Sequence, residues 1–114
     1  MLSDEKLTEF RIRLAERILR LQAETARSVP SRNVVKLDQQ SVGRLSRMDA
    51  LQQQAMAQAT ERRRKVEIAK AEAALRALDE DEYGFCIDCG DPIGAARLEH
   101  DPALTLCISC ARSR

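Results

Sequence analysis

Four cysteines near the C-terminus constrain this chain more strongly than any other feature. They form two pairs, Cys86 with Cys89 and Cys107 with Cys110, and seventeen residues separate the pairs. This spacing matches the four-thiolate zinc pattern, because two intervening residues let a tight turn aim both sulfurs of a pair at one ion. Four thiolates complete a tetrahedron and leave no position for water. The pattern therefore predicts one structural Zn²⁺ ion.

Two other uses of paired cysteines fit less well. A disulfide framework is typical of secreted chains, yet residues 1–5 read MLSDE, with charge where a signal peptide has an apolar run. A thioredoxin-like redox motif requires a βαβ setting that this sequence lacks. A redox-responsive zinc site stays open as a variant. His100 lies between the pairs and is surplus once four thiolates are counted, so we interpret it as an exposed or locally hydrogen-bonded histidine.

The composition favours long helices over a large globular core. The aromatic residues are only Phe10, Tyr83 and Phe85, while 32% of the 114 residues are charged and glycine and proline are scarce. Such a profile indicates helices with a narrow apolar seam. The net charge of +1 excludes a strongly basic nucleic-acid coat. No stretch approaches the roughly 18 apolar residues of a membrane helix, and we expect a cytoplasmic protein.

The first predicted helix begins after Ser3, a good N-cap, and ends before Pro30. Its apolar residues recur in steps of three and four, which places them on one face: Leu7, Phe10, Leu14, Ile18 and Leu21. Arginines and glutamates occupy the opposite face. The pattern predicts a helix of about 25 residues, roughly 38 Å long.

A longer helix is predicted from about Ser41 to Asp79. We expect its seam to contain apolar and small residues, with a second row beside it: Leu45, Met48, Leu51, Ala55, Ala59, Val66, Ala69 and Ala73, then Ile68, Ala71, Leu75 and Leu78. A short connection favours antiparallel pairing of the two helices. The predicted fold is mainly α: residues 1–80 form an antiparallel two-helix coiled-coil hairpin with its tip at about 30–48, and residues 81–114 form a small four-cysteine zinc-finger module.

The C-terminal sequence resembles the DksA/TraR family over roughly residues 78–110. The resemblance is carried by the acidic lead-in and first cysteine pair, DEDEYGFCIDCG at 79–90, by Ile93, Arg97, Leu98 and Pro102, and by LCISC at 106–110. It implies a bacterial transcription regulator that binds RNA polymerase through the secondary channel without specific contact to DNA. In some members guanosine tetraphosphate acts at the shared interface.

The resemblance also implies that acidic residues at the hairpin tip act on the polymerase. The best-known members carry a tip of the form Asp-x-x-Asp-x-Ala, and this string is absent here. The candidate tip residues are Asp38 and Asp49, with Arg44 and Arg47 as electrostatic partners. We expect a monomer, because the hairpin would satisfy its own seam.

Two other functions remain open. A DNA-binding zinc ribbon would show clustered basic residues beside the cysteines, whereas the acidic residues there outnumber Arg97, Arg112 and Arg114. A structural adaptor would use the coiled coil to bind another helical protein. Catalysis is not expected, because there is one histidine, no glycine-rich phosphate loop, and no nucleophile and base that spacing would bring together.

Overall fold

The computed structural model describes residues 2–29 and 44–113, with side chains from residue 46 onward in the second segment. Four helices follow in order: α1 (Asp4–Arg27), α2 (Arg44–Asp79), α3 (Ala95–His100) and α4 (Ile108–Ser113). The described residues contain no β-strand, and only an isolated antiparallel bridge joins Phe85 to Pro92. The mainly helical fold predicted from the sequence is confirmed. In the described segments, no helix has the length and apolar character required to cross a membrane.

Helix α1 begins where the capping signal predicted. The side chain of Ser3 accepts a hydrogen bond from the backbone N–H of Lys6, and Asp4 and Glu5 occupy the first turn. Carboxylates are favourable there because the N-terminus of a helix carries partial positive charge. The predicted seam of α1 is confirmed: Phe10, Leu14 and Leu21 are buried, and the other two members are partly buried.

The predicted seam of α2 is wrong in its main row. Met48, Leu51 and Val66 are exposed, whereas Ile68, Ala71, Leu75 and Leu78 of the neighbouring row are buried or half-buried. One row of buried and half-buried residues recurs in alternating steps of three and four, as in a coiled coil: Arg47, Ala50, Gln54, Ala57, Glu61, Arg64, Ile68, Ala71, Leu75 and Leu78. In the first two thirds of this row, four polar or charged residues alternate with only two alanines, which is why a search for apolar residues selected the wrong face.

A buried ionic group interrupts the seam between α1 and α2. Glu61 is only 3% exposed, and its carboxylate accepts a 2.6 Å hydrogen bond from Arg64. The Arg64 guanidinium also lies 3.5 Å from the carboxylate of Glu24 and donates to the hydroxyl of Ser28 at 3.2 Å. The guanidinium therefore joins the last turns of α1 to the middle of α2.

The main core lies where the two helices meet the cysteine-bearing segment. Phe10, Leu14, Ala71, Ala74 and Leu78 come from the helices, and the remaining buried members come from beyond α2: Tyr83, Ile93, Leu98 and Ala103. The rings of Phe10 and Tyr83 lie 5.8 Å apart, centre to centre. Residues on both sides of the predicted boundary at 80 and 81 thus share one apolar cluster.

Ion pairs connect α1 to the end of α3. Glu99 pairs with Lys6 and Arg13, and Arg17 donates to the carboxylate of Asp101 at 2.8 Å. Arg13 also donates to the backbone carbonyl of Glu99 at 2.9 Å. The polar face of α1 is therefore partly covered by the segment that bears the cysteines, rather than wholly solvated.

Candidate metal centre

The first cysteine pair lies in a tight turn closed by backbone hydrogen bonds. The N–H of Cys86 donates to the carbonyl of Asp91 at 2.8 Å, and the N–H of Gly90 donates back to the carbonyl of Cys86 at 2.9 Å. Gly90 has φ +79°, a conformation that glycine adopts without steric cost. The turn directs the side chains of Cys86 and Cys89 toward the same point, as the spacing predicted.

The second pair spans the start of α4. Cys107 precedes the helix and Cys110 lies in its first turn, so the two side chains share one side of the helix. The backbone N–H of Cys110 approaches the sulfur of Cys107 at 3.5 Å. A further hydrogen bond, from the N–H of Ile87 to the carbonyl of Thr105 at 2.9 Å, connects the two cysteine turns.

The four sulfurs form one compact group. All of them lie within 4.8 Å of one another, and the Cys89 and Cys107 sulfurs are 3.6 Å apart. Four ligands around Zn²⁺ at about 2.3 Å would have sulfur-to-sulfur distances of about 3.8 Å. The donor set and its dimensions fit one zinc ion, which would be held by Cys86, Cys89, Cys107 and Cys110. The ion would cross-link the two turns, and the closed ligand set offers no position for substrate.

The thiols differ in their readiness to ionise. The pKa of Cys86 is lowered to about 6, chiefly because the backbone N–H of Cys107 stabilises its thiolate. The pKa of Cys110 is raised, because the neighbouring Cys107, Cys86 and Cys89 and burial disfavour another thiolate. Four thiolates this close repel one another, so a divalent cation is the natural counter-charge that lets all four ionise together.

The other sequence-predicted residues lie apart from this centre. His100 is exposed at the end of α3 and is not a member of the sulfur group, in agreement with its interpretation as a surface residue. Asp38 lies outside the described residues, and of Arg44 only the backbone position, as the first residue of α2, is described. Arg47 is half-buried and Asp49 is exposed near the start of α2. These four residues remain candidates for a tip.

The sequence pattern did not indicate the connections that hold the metal centre against α1. Glu99 and Asp101 were counted only as acidic residues near the cysteines, yet both pair with arginines of α1. No local signal could have identified these pairs, because their members lie more than 80 positions apart in the chain. The alternation of arginine along one face of α1 indicated only that this face is polar.

The metal centre and its surroundings match known proteins. Residues 81–114 match the family model described as the prokaryotic dksA/traR C4-type zinc finger. Two curated relatives, each named RNA polymerase-binding transcription factor DksA, are similar over 50 residues, with 48% identity in Haemophilus influenzae and 42% in Escherichia coli K12. These matches cover 44% of this chain, and only 34% and 32% of the relatives' lengths.

Two solved structures are similar over nearly the whole chain. Transcription factor DksA2 from Pseudomonas aeruginosa aligns with a TM-score of 0.80 and 25% identity, over 98% of this chain and 84% of that one. A transcriptional regulator from Chlamydia trachomatis aligns with a TM-score of 0.63 and 19% identity, over 99% of this chain and 91% of that one, which supports the fold alone. Residues 81–114 thus match a dksA/traR C4-type zinc finger, and the fold of the chain is similar to that of transcription factor DksA2.

Proposed function

We propose that this protein binds RNA polymerase and regulates transcription by inserting its helical hairpin into the secondary channel, without specific contact to DNA. The proposal is supported by relatives named RNA polymerase-binding transcription factors and by the similarity of fold to a DksA2 structure over most of both chains. Those relatives are also the reason to propose a regulator with no catalytic activity of its own, acting in the cytoplasm.

The length of α2 is the observation that carries the mechanism. Its 36 residues extend about 54 Å from the cysteine-bearing segment to Arg44. A helix of this length, braced by α1 over its base, could hold side chains near residues 30–49 several tens of ångströms from a docking base. We propose that residues 1–80 serve as this probe and that residues 81–114, with their zinc ion, serve as the base.

A charged residue is exposed near the N-terminal end of α2, which supports a role for the candidate tip residues. Asp49 is exposed on α2, so its carboxylate is available to a partner. We propose that Asp38 and Asp49 carry the acidic contribution at the tip and that Arg44 and Arg47 act beside them. The absence of the Asp-x-x-Asp-x-Ala string indicates that the response of promoters, and any cooperation with guanosine tetraphosphate, will differ from that of members that carry it.

Site-directed crosslinking to polymerase tests this proposal most directly. A photoreactive amino acid placed singly at positions 36 to 49 should crosslink to core RNA polymerase near its active site. The same group at Arg112, in the last turn of α4, provides the matched control at the opposite end. Transcription from a ribosomal promoter, with and without guanosine tetraphosphate, reports the effect. A protein that neither binds core polymerase nor changes transcription would overturn the proposal.

One structural feature favours the adaptor as the second candidate. The outward face of α2 exposes large apolar side chains at Met48, Leu51, Met56 and Val66, which a helical partner could cover. Sedimentation of the zinc-loaded protein distinguishes the two: we expect a monomer, and a stable dimer would favour the adaptor. A DNA-binding ribbon is disfavoured by the acidic surroundings of the cysteines. A salt-sensitive mobility shift would revive it.

A further inference from the structure

An apolar groove lies at the zinc-bearing end of the molecule, apart from the cysteine sulfurs. It has a volume of about 550 Å³ and lies between the start of α1, the end of α2 and the first cysteine turn. Its walls are mainly apolar side chains: Leu2, Leu7, Leu78, Phe85, Pro92 and Leu98. Phe85 is 48% exposed. An aromatic side chain is therefore left accessible at this groove.

Two glycines show where the groove is closed and where it is open. A Cβ placed on Gly84 would lie 3.3 Å from Cδ1 of Leu2 and 3.7 Å from Cδ1 of Leu98, so the wall at Gly84 is already packed. A Cβ on Gly94 would meet no atom within 4 Å. The groove therefore has a packed wall beside Gly84 and free space beside Gly94, where an apolar side chain from another molecule could enter.

Two carboxylates line the groove, and neither is paired with a basic side chain among the described residues. Across residues 2–29 and 44–113, the side chains of Asp4 and Asp81 make no ion pair and no hydrogen bond. The nearby carboxylates of Glu99, Asp101 and Asp79, by contrast, are all paired with basic residues of α1. The basic side chains at this end of α1 are paired with those three carboxylates. The negative charges of Asp4 and Asp81 therefore remain at the edge of the groove.

Asp81 has a positive φ and carries a negative charge just after the end of α2. It has φ +58° and is, among the described residues, the only one other than glycine with a positive φ. It also directly follows the C-terminal turn of α2, where a negative charge is unfavourable. Glycine or asparagine would satisfy the same backbone conformation without the charge.

We infer that this groove binds a segment of a protein partner that presents an apolar side chain flanked by lysine or arginine. The apolar walls would take the side chain, and the unpaired carboxylates of Asp4 and Asp81 would pair with the flanking bases. The assignment goes beyond the proposed action of the hairpin tip, and it uses the opposite end of the molecule. Binding at this groove can therefore be tested separately from binding of the hairpin tip to polymerase.

Nuclear magnetic resonance of the zinc-loaded, ¹⁵N-labelled protein provides the test. The probe is acetyl-Lys-Leu-Leu-Lys-amide, and the matched control peptide is acetyl-Glu-Leu-Leu-Glu-amide. We expect the lysine peptide at millimolar concentration to shift the amide signals of Phe85, Gly94 and Ala95. The glutamate peptide should leave them in place. No polymerase is present, so a failure here is distinct from a failure of the proposed function.

Three variants sharpen the result. Asp81→Asn keeps a residue suited to positive φ, and it should weaken binding of the lysine peptide roughly two- to fivefold, as expected for a single exposed ion pair. Glu80→Gln removes the adjacent carboxylate, which does not line the groove, and should leave binding unchanged. Ala95→Leu adds bulk at the groove wall and should abolish the shifts while zinc content stays the same.

Several results would overturn the assignment. They are the absence of shifts at Phe85, Gly94 and Ala95 up to several millimolar peptide, equal shifts with both peptides, and equal binding by Asp81→Asn and the unmodified protein. Shifts confined to the outward face of α2 would equally count against the groove. Zinc content measured on every sample confirms that each variant retains the metal.

Discussion

The hydroxyl of Tyr83 donates a hydrogen bond of 2.8 Å to the carbonyl oxygen of Pro102 inside the core. The bond joins the segment that follows α2 to the loop that follows α3. Tyr83 is also in ring contact with Phe10 of α1, so one side chain links three parts of the fold. Burial raises the pKa of the Tyr83 hydroxyl, which therefore stays protonated and can donate this hydrogen bond throughout the physiological range.

Replacing Tyr83 by phenylalanine should show how much this hydrogen bond contributes to the free energy of unfolding. Tyr83→Phe retains the ring but leaves the carbonyl of Pro102 without its partner, and we expect the free energy of unfolding to fall by about 1–3 kcal/mol. Urea unfolding of the zinc-loaded protein measures it. Ser113→Ala removes an exposed hydroxyl at the end of α4 and serves as the control, with a change within about 0.5 kcal/mol. Equal effects of the two variants would contradict the prediction.

Phe10 should be the most costly side chain to truncate in α1. It is fully buried, at 0% exposure, and it lies between the helices and the cysteine-bearing segment. Phe10→Ala removes a large buried side chain and should lower the free energy of unfolding by about 3–5 kcal/mol. Ile12→Ala, on the exposed face of the same helix, should change it by about 0.5 kcal/mol or less. Denaturant midpoints of the two variants and the parent protein, measured at equal zinc content, test this prediction.

Removing one partner of the buried Arg64–Glu61 pair should lower the free energy of unfolding more than removing both partners. Arg64→Met leaves the carboxylate of Glu61 buried without its guanidinium partner, and we expect a loss of about 3 kcal/mol in stability. The double variant Arg64→Met with Glu61→Met removes both charges and should be more stable than the single variant. A double-mutant cycle from urea unfolding measures the coupling. A double variant less stable than Arg64→Met would contradict this account.

The pairing of Asp101 with Arg17 gives a prediction for pH. Burial alone would raise the pKa of Asp101, but hydrogen bonds from Arg17 and from the backbone N–H of Ala103 lower it overall. A carboxyl with a lowered folded pKa contributes stability that is complete above its unfolded pKa and is lost only as pH falls through the folded value. Asp101→Asn should therefore destabilise by about 1 kcal/mol, a value kept small because the pair is partly exposed.

The difference between the parent protein and Asp101→Asn should stay constant from pH 8 to pH 5. Unfolding free energies measured at several pH values in that window, with zinc content verified at each, provide the comparison. A difference that grows steadily as the pH falls from 8 to 5 would show that the folded carboxyl titrates above its ordinary pKa, because the folded state would then bind protons more readily than the unfolded state. In that case the contribution of Arg17 would be absent.

Loss of the metal should affect the helices as well as the cysteine turns. Cys89→Ala, or removal of zinc by a chelator, should release the ion and unfold residues 81–113, because structural zinc supplies much of the folding energy of a small module. Phe10 and Leu14 share their core with that segment, so the thermal midpoint of the helices should fall, while much of the helical signal persists at low temperature. Circular dichroism before and after chelation measures both quantities. An unchanged midpoint, or complete loss of helix, would contradict this expectation.

The sequence was informative where the physical signal is local. Cysteine spacing alone predicted the sulfur group, because a turn of fixed length brings each pair together. The capping residue Ser3 and the repeat through Phe10 and Leu14 predicted α1 to within a residue or two. The end of α2 at Asp79 was also predicted, from the acidic run and the glycine that follow it.

The sequence misled where burial did not follow hydrophobicity. Glu61 and Arg64 occupy inward positions of α2 because they neutralise each other, whereas Val66 is exposed. A search for apolar residues necessarily selects the wrong row in that case. Contacts between distant segments, such as Arg17 with Asp101, leave no local pattern.

The shared core of Phe10, Leu14, Tyr83 and Leu98 has a consequence for engineering. The two long helices cannot be transplanted alone into another protein, because their base would lose the side chains that cover it. A graft that preserves their geometry has to carry the stretch through Cys110 and its metal ion. Loss of the ion would therefore weaken the packing at the base of the helices as well as the turns that hold it.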